Sequence, residues 1–184
     1  MIDIKPTAIE AVKIITPQRF TDERGYFVET WNKREFDQIA DVDFVQDNYS
    51  LSRLVGTVRG LHMQSPPSAQ NKLVRVLRGR IVDVAVDLRR SSATFGHHVA
   101  VELSADNGSQ LWVPVGFAHG FVTREPDTEV AYKVTGFYEK TCDLGLRWDD
   151  PALGIDWGIS LSEAILSDKD RAYPRLAELP EIFM

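Results

Sequence analysis

The chain has 184 residues, of which 43% are hydrophobic and 26% charged, and its formal net charge is −6. These values are typical of a globular protein with a full core and exclude a disordered chain. The acidic balance argues against a nucleic-acid partner, and the lone cysteine, Cys142, cannot form an intramolecular disulfide. Since no apolar run approaches about 18 residues and no signal-peptide pattern is present, the sequence predicts no membrane partner and a cytoplasmic location.

Helix signals are few along the chain. The first is at residues 32–40, where Asn32 occupies a possible N-cap and Glu35 follows three residues later. Phe36 and Ile39 give this segment an apolar side. A second helix start is predicted at residues 167–170, near the C-terminus.

Residues 56–64 place an Arg and a His three positions apart, between glycines and within a strand-like run. Neighbouring side chains of a strand point to opposite faces, so Arg59 and His62 are separated unless Gly60 marks a bulge that re-aims the next residue. Together with Lys72, these residues suit an anionic substrate and a proton-transfer step. A hydrogen-bonded core histidine is equally compatible with the local pattern, and a solvated surface position is the usual one for a lysine such as Lys72.

Residues 73–77, a turn at 78–80 and residues 81–88 are predicted to form a β-hairpin. In the second strand Val84 and Val86 share one face, while Asp83 and Ala85 share the other. A carboxylate at Asp83 forms either an ion pair with Lys72 inside a cavity or part of a half-exposed strand face.

Further strands are predicted at residues 99–103, 110–113, 120–123 and 129–137, separated by Gly, Pro and Asp turn signals. Many short strands at such intervals predict an all-β sandwich or barrel. The spacing Pro114-x-Gly116-x-x-His119 resembles the second motif of the cupin superfamily. That resemblance implies a cupin-like jelly roll, a double-stranded β-helix, with a few short helices.

The first cupin motif usually supplies two His and a Glu to a metal ion. Here Gln64 stands where the second His is expected, and the adjacent His97 and His98 would face opposite sides of a strand. We therefore expect no metal.

Eleven segments, in the same order along nearly the whole chain, resemble the dTDP-4-dehydrorhamnose 3,5-epimerase family. They are residues 20–29, 44–48, 58–62, 71–75, 83–89, 94–96, 111–120, 132–133, 148–151, 154–157 and 166–170.

The resemblance implies one cupin-like domain over residues 1–184, a homodimer to which the N-terminal segment contributes, and no cofactor. The implied substrate is dTDP-4-dehydro-6-deoxy-D-glucose, a 4-keto-6-deoxyhexose on a nucleoside diphosphate. Its C3 and C5 protons are α to the ketone and can be exchanged through an enolate. The implied product is dTDP-4-dehydro-L-rhamnose, an intermediate of dTDP-L-rhamnose synthesis.

The resemblance also assigns four catalytic residues. His62 matches the family's base and Asp170 the carboxylate that holds it, although the two lie far apart in sequence. Tyr132 matches the acid that donates from the opposite face, and Lys72 matches the cation near the C4 oxygen.

The implied substrate-binding residues follow the same correspondence. Arg59 matches the diphosphate contact, and His119 matches a residue near the sugar. The contacts to the nucleotide, and two further pocket positions, match Arg24, Phe27, Glu29, Gln46, Asn48, Tyr138 and Lys169. At one departure, Asp143 stands where some relatives have Glu, and the resemblance gives it no firm role.

Three other functions remain open on the sequence. A dTDP-4-keto-sugar epimerase that inverts only C3 or only C5 would share the same catalytic residues. A 3,4-ketoisomerase fits less well, because the pairing of His62 with Tyr132 suits inversion. A non-catalytic cupin that binds a sugar nucleotide would not need to keep both residues together with Lys72 and Asp170.

Overall fold

The computed structural model describes residues 2–183, and in this range the chain forms thirteen β-strands, two short α-helices and two 3-10 helices. In chain order the strands and α-helices are β1 (Ile2–Pro6), β2 (Lys13–Pro17), β3 (Arg19–Asp22), β4 (Gly25–Val28), α1 (Lys33–Phe36), β5 (Gln46–Ser52), β6 (Val58–Gln64), β7 (Lys72–Arg78), β8 (Arg80–Asp87), β9 (His98–Ser104), β10 (Gln110–Val113), β11 (Phe117–Thr123), β12 (Thr128–Val134), β13 (Asp143–Gly145) and α2 (Asp168–Ala172). The 3-10 helices are Lys140–Cys142 and Leu176–Glu178.

Two antiparallel sheets make up most of the fold. The six-stranded sheet has the order β1-β2-β10-β7-β12-β5, and the five-stranded sheet has the order β13-β6-β11-β8-β9. Strands β3 and β4 form a separate two-stranded sheet. These are the paired layers of a cupin-like jelly roll, so the predicted all-β fold is confirmed.

The core between the two sheets explains why they face each other. Alternate residues of β7, β10 and β12 pack against alternate residues of β8, β9 and β11 in one buried cluster. The cluster includes Val74, Val76, Leu111, Val113, Val130, Ile81, Ala85, Val99, Leu103, Phe117 and Phe121. Val84 and Val86 pack on the outer side of the five-stranded sheet under the C-terminal segment, so β8 is buried on both faces.

The predicted β-hairpin at residues 73–88 is wrong, although both of its strands exist. Strand β7 pairs with β10 and β12, whereas β8 pairs with β11 and β9. Gly79, with φ of +80°, turns the chain from one sheet into the other. A turn signal in the sequence shows that the chain reverses, but it does not show which strands pair with each other. Here the two strands that flank the turn lie inside two different sheets, because each pairs with other strands on both of its edges.

Both predicted helix starts are confirmed. Asn32 caps α1 by accepting hydrogen bonds from the backbone N–H groups of Arg34 and Glu35, and Ser167 caps α2 by accepting one from Asp170. The first helix ends at Phe36, before the predicted residue 40. Within residues 2–183, no helix has the length and apolar character needed to cross a membrane.

Candidate active site

Two adjoining pockets, of about 390 and 220 Å³, open between the two sheets and share His62, Lys72, Tyr132 and Lys169. Because they share these walls, the two pockets form one cavity. Its other lining residues are Gln46, Asn48, Ser50, Arg59, Met63, Gln64, Gln70, His119, Phe121, Tyr138, Asp143, Ser167 and Asp170.

A β-bulge at Gly60 places Arg59 and His62 on the same side of β6. Arg59 pairs with Phe121 and His62 with His119, so two residues of β6 oppose one residue of β11. Gly60 has φ of +129°, and a Cβ there would lie 2.6 Å from the Cα of Gly120. The close strand contact therefore requires glycine, and of the two alternatives left open by the sequence, the bulge is confirmed.

His62 is held by a carboxylate from α2. Its Nε2 lies 2.5 Å from Oδ1 of Asp170, whose side chain is only 6% exposed. The Ser167 hydroxyl donates to Oδ2 of Asp170 over 2.7 Å. Burial alone would raise the pKa of Asp170, but the hydrogen bonds to His62 and Ser167 hold it below its usual value. An ionised Asp170 can only accept, so Nε2 of His62 carries the proton and Nδ1 is left to accept another.

Lys72 is a buried cation beside this pair. Its Nζ donates to the backbone carbonyl of His62 over 3.2 Å. Burial lowers the pKa of Lys72 to about 8, against the opposing effect of the carboxylates of Asp83 and Asp143. The surface-lysine interpretation is wrong, and the ammonium faces the cavity as a poorly hydrated positive charge.

Asp83 is fully buried, so the half-exposed alternative for it is wrong. Its Oδ1 lies 2.8 Å from Nε2 of His119, which faces it from β11. The Lys72 ammonium acts on this carboxylate through its charge but does not form the predicted direct ion pair, and Oδ2 of Asp83 is buried without a hydrogen-bond partner. Burial lowers the pKa of His119, which keeps its imidazole neutral at pH 7.

Tyr132 lies on the wall opposite His62. It belongs to β12 of the six-stranded sheet and packs against the interlayer core, whereas His62 belongs to β6 of the five-stranded sheet. Burial raises the pKa of the Tyr132 hydroxyl, so it remains protonated at neutral pH.

The side chain of Arg59 is exposed at the edge of the cavity. Its guanidinium donates hydrogen bonds to the hydroxyl of Ser52 and to the backbone carbonyl of Leu51, which hold it in place.

The residues matched to nucleotide contacts fall into two groups. Gln46 and Asn48 line the cavity and hydrogen-bond each other over 2.8 Å. Arg24, Phe27 and Glu29 do not line the cavity of their own chain. They lie on or next to the exposed β3–β4 hairpin, and Phe27 is 70% exposed.

Tyr138 and Lys169 meet at Asp143, a residue with no role assigned from the sequence. The Tyr138 hydroxyl donates to Oδ2 of Asp143 over 2.9 Å, and the Lys169 ammonium pairs with the same oxygen. Sequence reasoning also missed Ser167 as a partner of Asp170, although its N-cap spacing was a usable signal.

The sequence expectation of no metal stays a prediction. The Gln64 side-chain oxygen accepts from the backbone N–H of Glu139 over 2.8 Å, which occupies it within the protein. Across residues 2–183, no group of three or more His, Cys, Asp or Glu side chains is arranged to hold a metal ion.

The fold and the site define a class. A jelly roll that holds a His–Asp pair on one sheet, a Tyr on the facing sheet and a buried Lys between them is a cupin-type enzyme suited to proton transfer at carbon. The family model for dTDP-4-dehydrorhamnose 3,5-epimerase matches residues 6–178, and the chain belongs to this family.

Individual relatives agree with this assignment. A dTDP-4-dehydrorhamnose 3,5-epimerase from Sinorhizobium fredii is 54% identical over 96% of this chain and 90% of the relative. A Legionella pneumophila dTDP-6-deoxy-D-glucose-3,5-epimerase, solved in complex with dTDP-4-keto-L-rhamnose, superposes with a TM-score of 0.93 at 41% identity, covering 98% of this chain and 95% of that one. A 3′-monoepimerase from Streptomyces bikiniensis, solved with dTDP-quinovose, gives a TM-score of 0.87 at 30% identity, covering 94% and 87%.

Proposed function

We propose that the protein converts dTDP-4-dehydro-6-deoxy-D-glucose to dTDP-4-dehydro-L-rhamnose by inverting C3 and C5. The observation that carries the proposal is the placement of His62 and Tyr132 on opposite walls of one cavity. Inversion at carbon needs a base on one face of the sugar and an acid on the other. The family membership and the 54% identity to a double epimerase support the same substrate and the same pair of carbons.

The first step removes a proton from a carbon next to the ketone. Nδ1 of His62 takes the proton, the C–H electron pair forms the enolate, and the negative charge moves to the C4 oxygen. Asp170 stabilises the resulting imidazolium through Nε2. The ammonium of Lys72 stabilises the enolate oxygen, an effect worth roughly a few kcal/mol for a group fixed in advance.

The second step returns a proton from the other face. The Tyr132 hydroxyl donates to the carbon, the enolate electrons re-form the ketone, and the centre is inverted. A raised pKa keeps this hydroxyl protonated until the carbanion is presented to it. His62 then loses its extra proton to solvent and Tyr132 regains one from solvent, so that both side chains return to their starting protonation states before the second carbon reacts.

The nucleotide end of the substrate extends from the sugar toward Arg59. A guanidinium suits the diphosphate because it can donate to two oxygens at once. Gln46 and Asn48 are placed to read the edge of the thymine base, and His119, Tyr138 and Lys169 complete the wall near the sugar.

We propose that the active protein is a homodimer in which residues 1–184 form one domain. The motivation is that three residues that match nucleotide contacts lie outside their own cavity, on or next to an exposed hairpin: Arg24, Phe27 and Glu29. A second copy can bring that hairpin to Gln46 and Asn48. Light scattering is expected to give twice the chain mass, and Phe27→Ala is expected to weaken binding of dTDP; a monomer with full affinity would contradict the proposal.

The proposed location is the cytoplasm, where nucleotide sugars are formed from nucleoside triphosphates. No nucleic-acid or membrane partner is part of the proposal, in keeping with the net charge of −6.

Turnover of dTDP-4-dehydro-6-deoxy-D-glucose in D2O tests the function directly. We expect deuterium at both C3 and C5, read by mass spectrometry and NMR, together with the L-rhamno product. Deuterium at one carbon only, after long incubation, would establish the single-site epimerase, which the likeness to the 3′-monoepimerase keeps as the second candidate. Binding without exchange would establish a non-catalytic cupin.

The pH profile reports the charge of Lys72. Because its pKa is lowered to about 8 and its role requires the ammonium, kcat is expected to fall as the pH rises through about 8. In Asp83→Asn the opposing carboxylate charge is lost, so the pKa of Lys72 falls further and the alkaline limb moves to lower pH. Asp87→Asn is the matched control, since Asp87 is equally buried on the same strand but its carboxylate pairs with Arg89 and does not act on Lys72. An alkaline limb that stays in place in Asp83→Asn would contradict this account of Lys72.

A further inference from the structure

Tyr173 packs against the proposed base from outside the cavity. It follows α2 directly, and its ring lies edge-on to the His62 imidazole with centroids 5.7 Å apart and an interplanar angle of 65°. Asp170, three residues earlier, accepts the hydrogen bond from the same imidazole. One turn of chain therefore presents a carboxylate and an aromatic ring to one histidine.

The space around the Tyr173 ring is tightly limited. Gly145 pairs with His62 in the β13–β6 register, and a Cβ at Gly145 would lie 2.2–2.4 Å from atoms of the Tyr173 ring. On another side, the ammonium of Lys169 lies 5.7 Å from the ring centroid. The ring thus fills the gap between the glycine of β13 and the imidazole.

We infer that Tyr173 is a positioning residue that fixes the orientation of the His62 imidazole. The inference rests on the proposed function, in which His62 is the base. A single hydrogen bond, which Nε2 donates to Asp170, fixes that nitrogen but still allows the imidazole plane to tilt about the contact. The Tyr173 ring blocks this tilt, so that Nδ1 stays directed at the substrate. Tyr173 does not line the cavity, so it acts through His62 rather than on the sugar.

The test compares two substitutions at this position. Tyr173→Ala opens space beside the imidazole and is expected to lower kcat by about tenfold to 100-fold, with KM nearly unchanged, since misplacing a catalytic group by about 1 Å can have an effect of this size. Tyr173→Phe keeps the ring and is expected to restore the activity to that of the natural chain. A KM effect without a kcat effect, or equal losses in both variants, would overturn the inference. If the Ala variant does not fold, Tyr173→Leu takes its place and is expected to lower kcat relative to Tyr173→Phe, with KM nearly unchanged.

Gly145 offers an independent check of the geometry. Gly145→Ala is expected to lower kcat, because its methyl group must displace the Tyr173 ring toward His62. In the Tyr173→Ala background the methyl group enters vacated space, and Gly145→Ala is expected to cause no further loss. If Gly145→Ala lowers kcat by the same factor with Tyr173 present and with Tyr173 replaced by Ala, then Gly145 does not act through Tyr173, and the inference is overturned.

A measurement without substrate separates this inference from the proposed function. Nitrogen-15 NMR of the resting protein is expected to show one sharp, exchange-protected His62 Nε2–H signal in the natural chain and in Tyr173→Phe. The signal is expected to broaden in Tyr173→Ala, and an unchanged signal would overturn the inference. Failure of the natural chain to turn over the dTDP-sugar would instead overturn the proposed function.

Discussion

His62→Ala is expected to remove deuterium exchange and epimerisation together. His62 is the group placed to accept the substrate proton, with Asp170 bonded to its other nitrogen at 2.5 Å. General bases contribute about 10²–10⁴-fold to rate, so the loss is expected to be about 100-fold or more at both C3 and C5. Exchange in D2O and product formation are measured in the same sample.

The matched control is His97→Ala, because His97 is exposed and does not line the cavity. It should leave both rates unchanged. Circular dichroism and thermal melting of His62→Ala establish that the protein is folded. Substantial exchange in a folded His62→Ala protein would mean that another group removes the proton.

Tyr132→Phe is expected to separate exchange from inversion. The variant retains His62, Asp170 and Lys72, so the enolate still forms and His62 can return a solvent deuteron to the face from which the proton came. Inversion requires a donor on the opposite wall, where the hydroxyl of Tyr132 has been removed, and should fall by about 10²-fold or more. The ratio of deuterium uptake to inverted product is the quantity to measure.

Tyr49→Phe is the matched control, since Tyr49 lies on neighbouring strand β5 but is 59% exposed. The ratio should not change in that variant. If exchange and inversion fall by the same factor in Tyr132→Phe, the hydroxyl is needed to form the enolate, and its assignment as an opposite-face acid is wrong.

Local signals in the sequence predicted local structure well. Asn32 and Ser167 cap helices where their spacing indicated, because a cap depends only on the next three residues. The jelly roll followed from short strands, turns and the family resemblance. The hairpin at residues 73–88 was wrong because strand pairing depends on the whole sheet, and the Gly79 turn looks the same locally in either arrangement.

The site shows the same division between local and long-range information. His62 and Asp170 are 108 positions apart, so the resemblance and not the spacing brought them together. The partner of Asp83 could not be chosen from sequence, since both Lys72 and His119 were compatible with a buried carboxylate. The contact of Tyr173 with His62 carries no sequence motif, because it depends on how α2 packs against β13 and β6.

The proposed base and acid belong to different sheets, and the apolar layer between the sheets therefore acts as a spacer that sets the distance between them. Core side chains that do not line the cavity, such as Phe117 and Leu111, determine how far β6 and β11 stand from β7 and β12, and hence the gap that the sugar ring must span between His62 and Tyr132. Shortening one of these side chains reduces the spacer without touching the sugar. The tolerance of this enzyme for ring size and ring pucker consequently depends on its hydrophobic core as well as on the polar groups of its cavity.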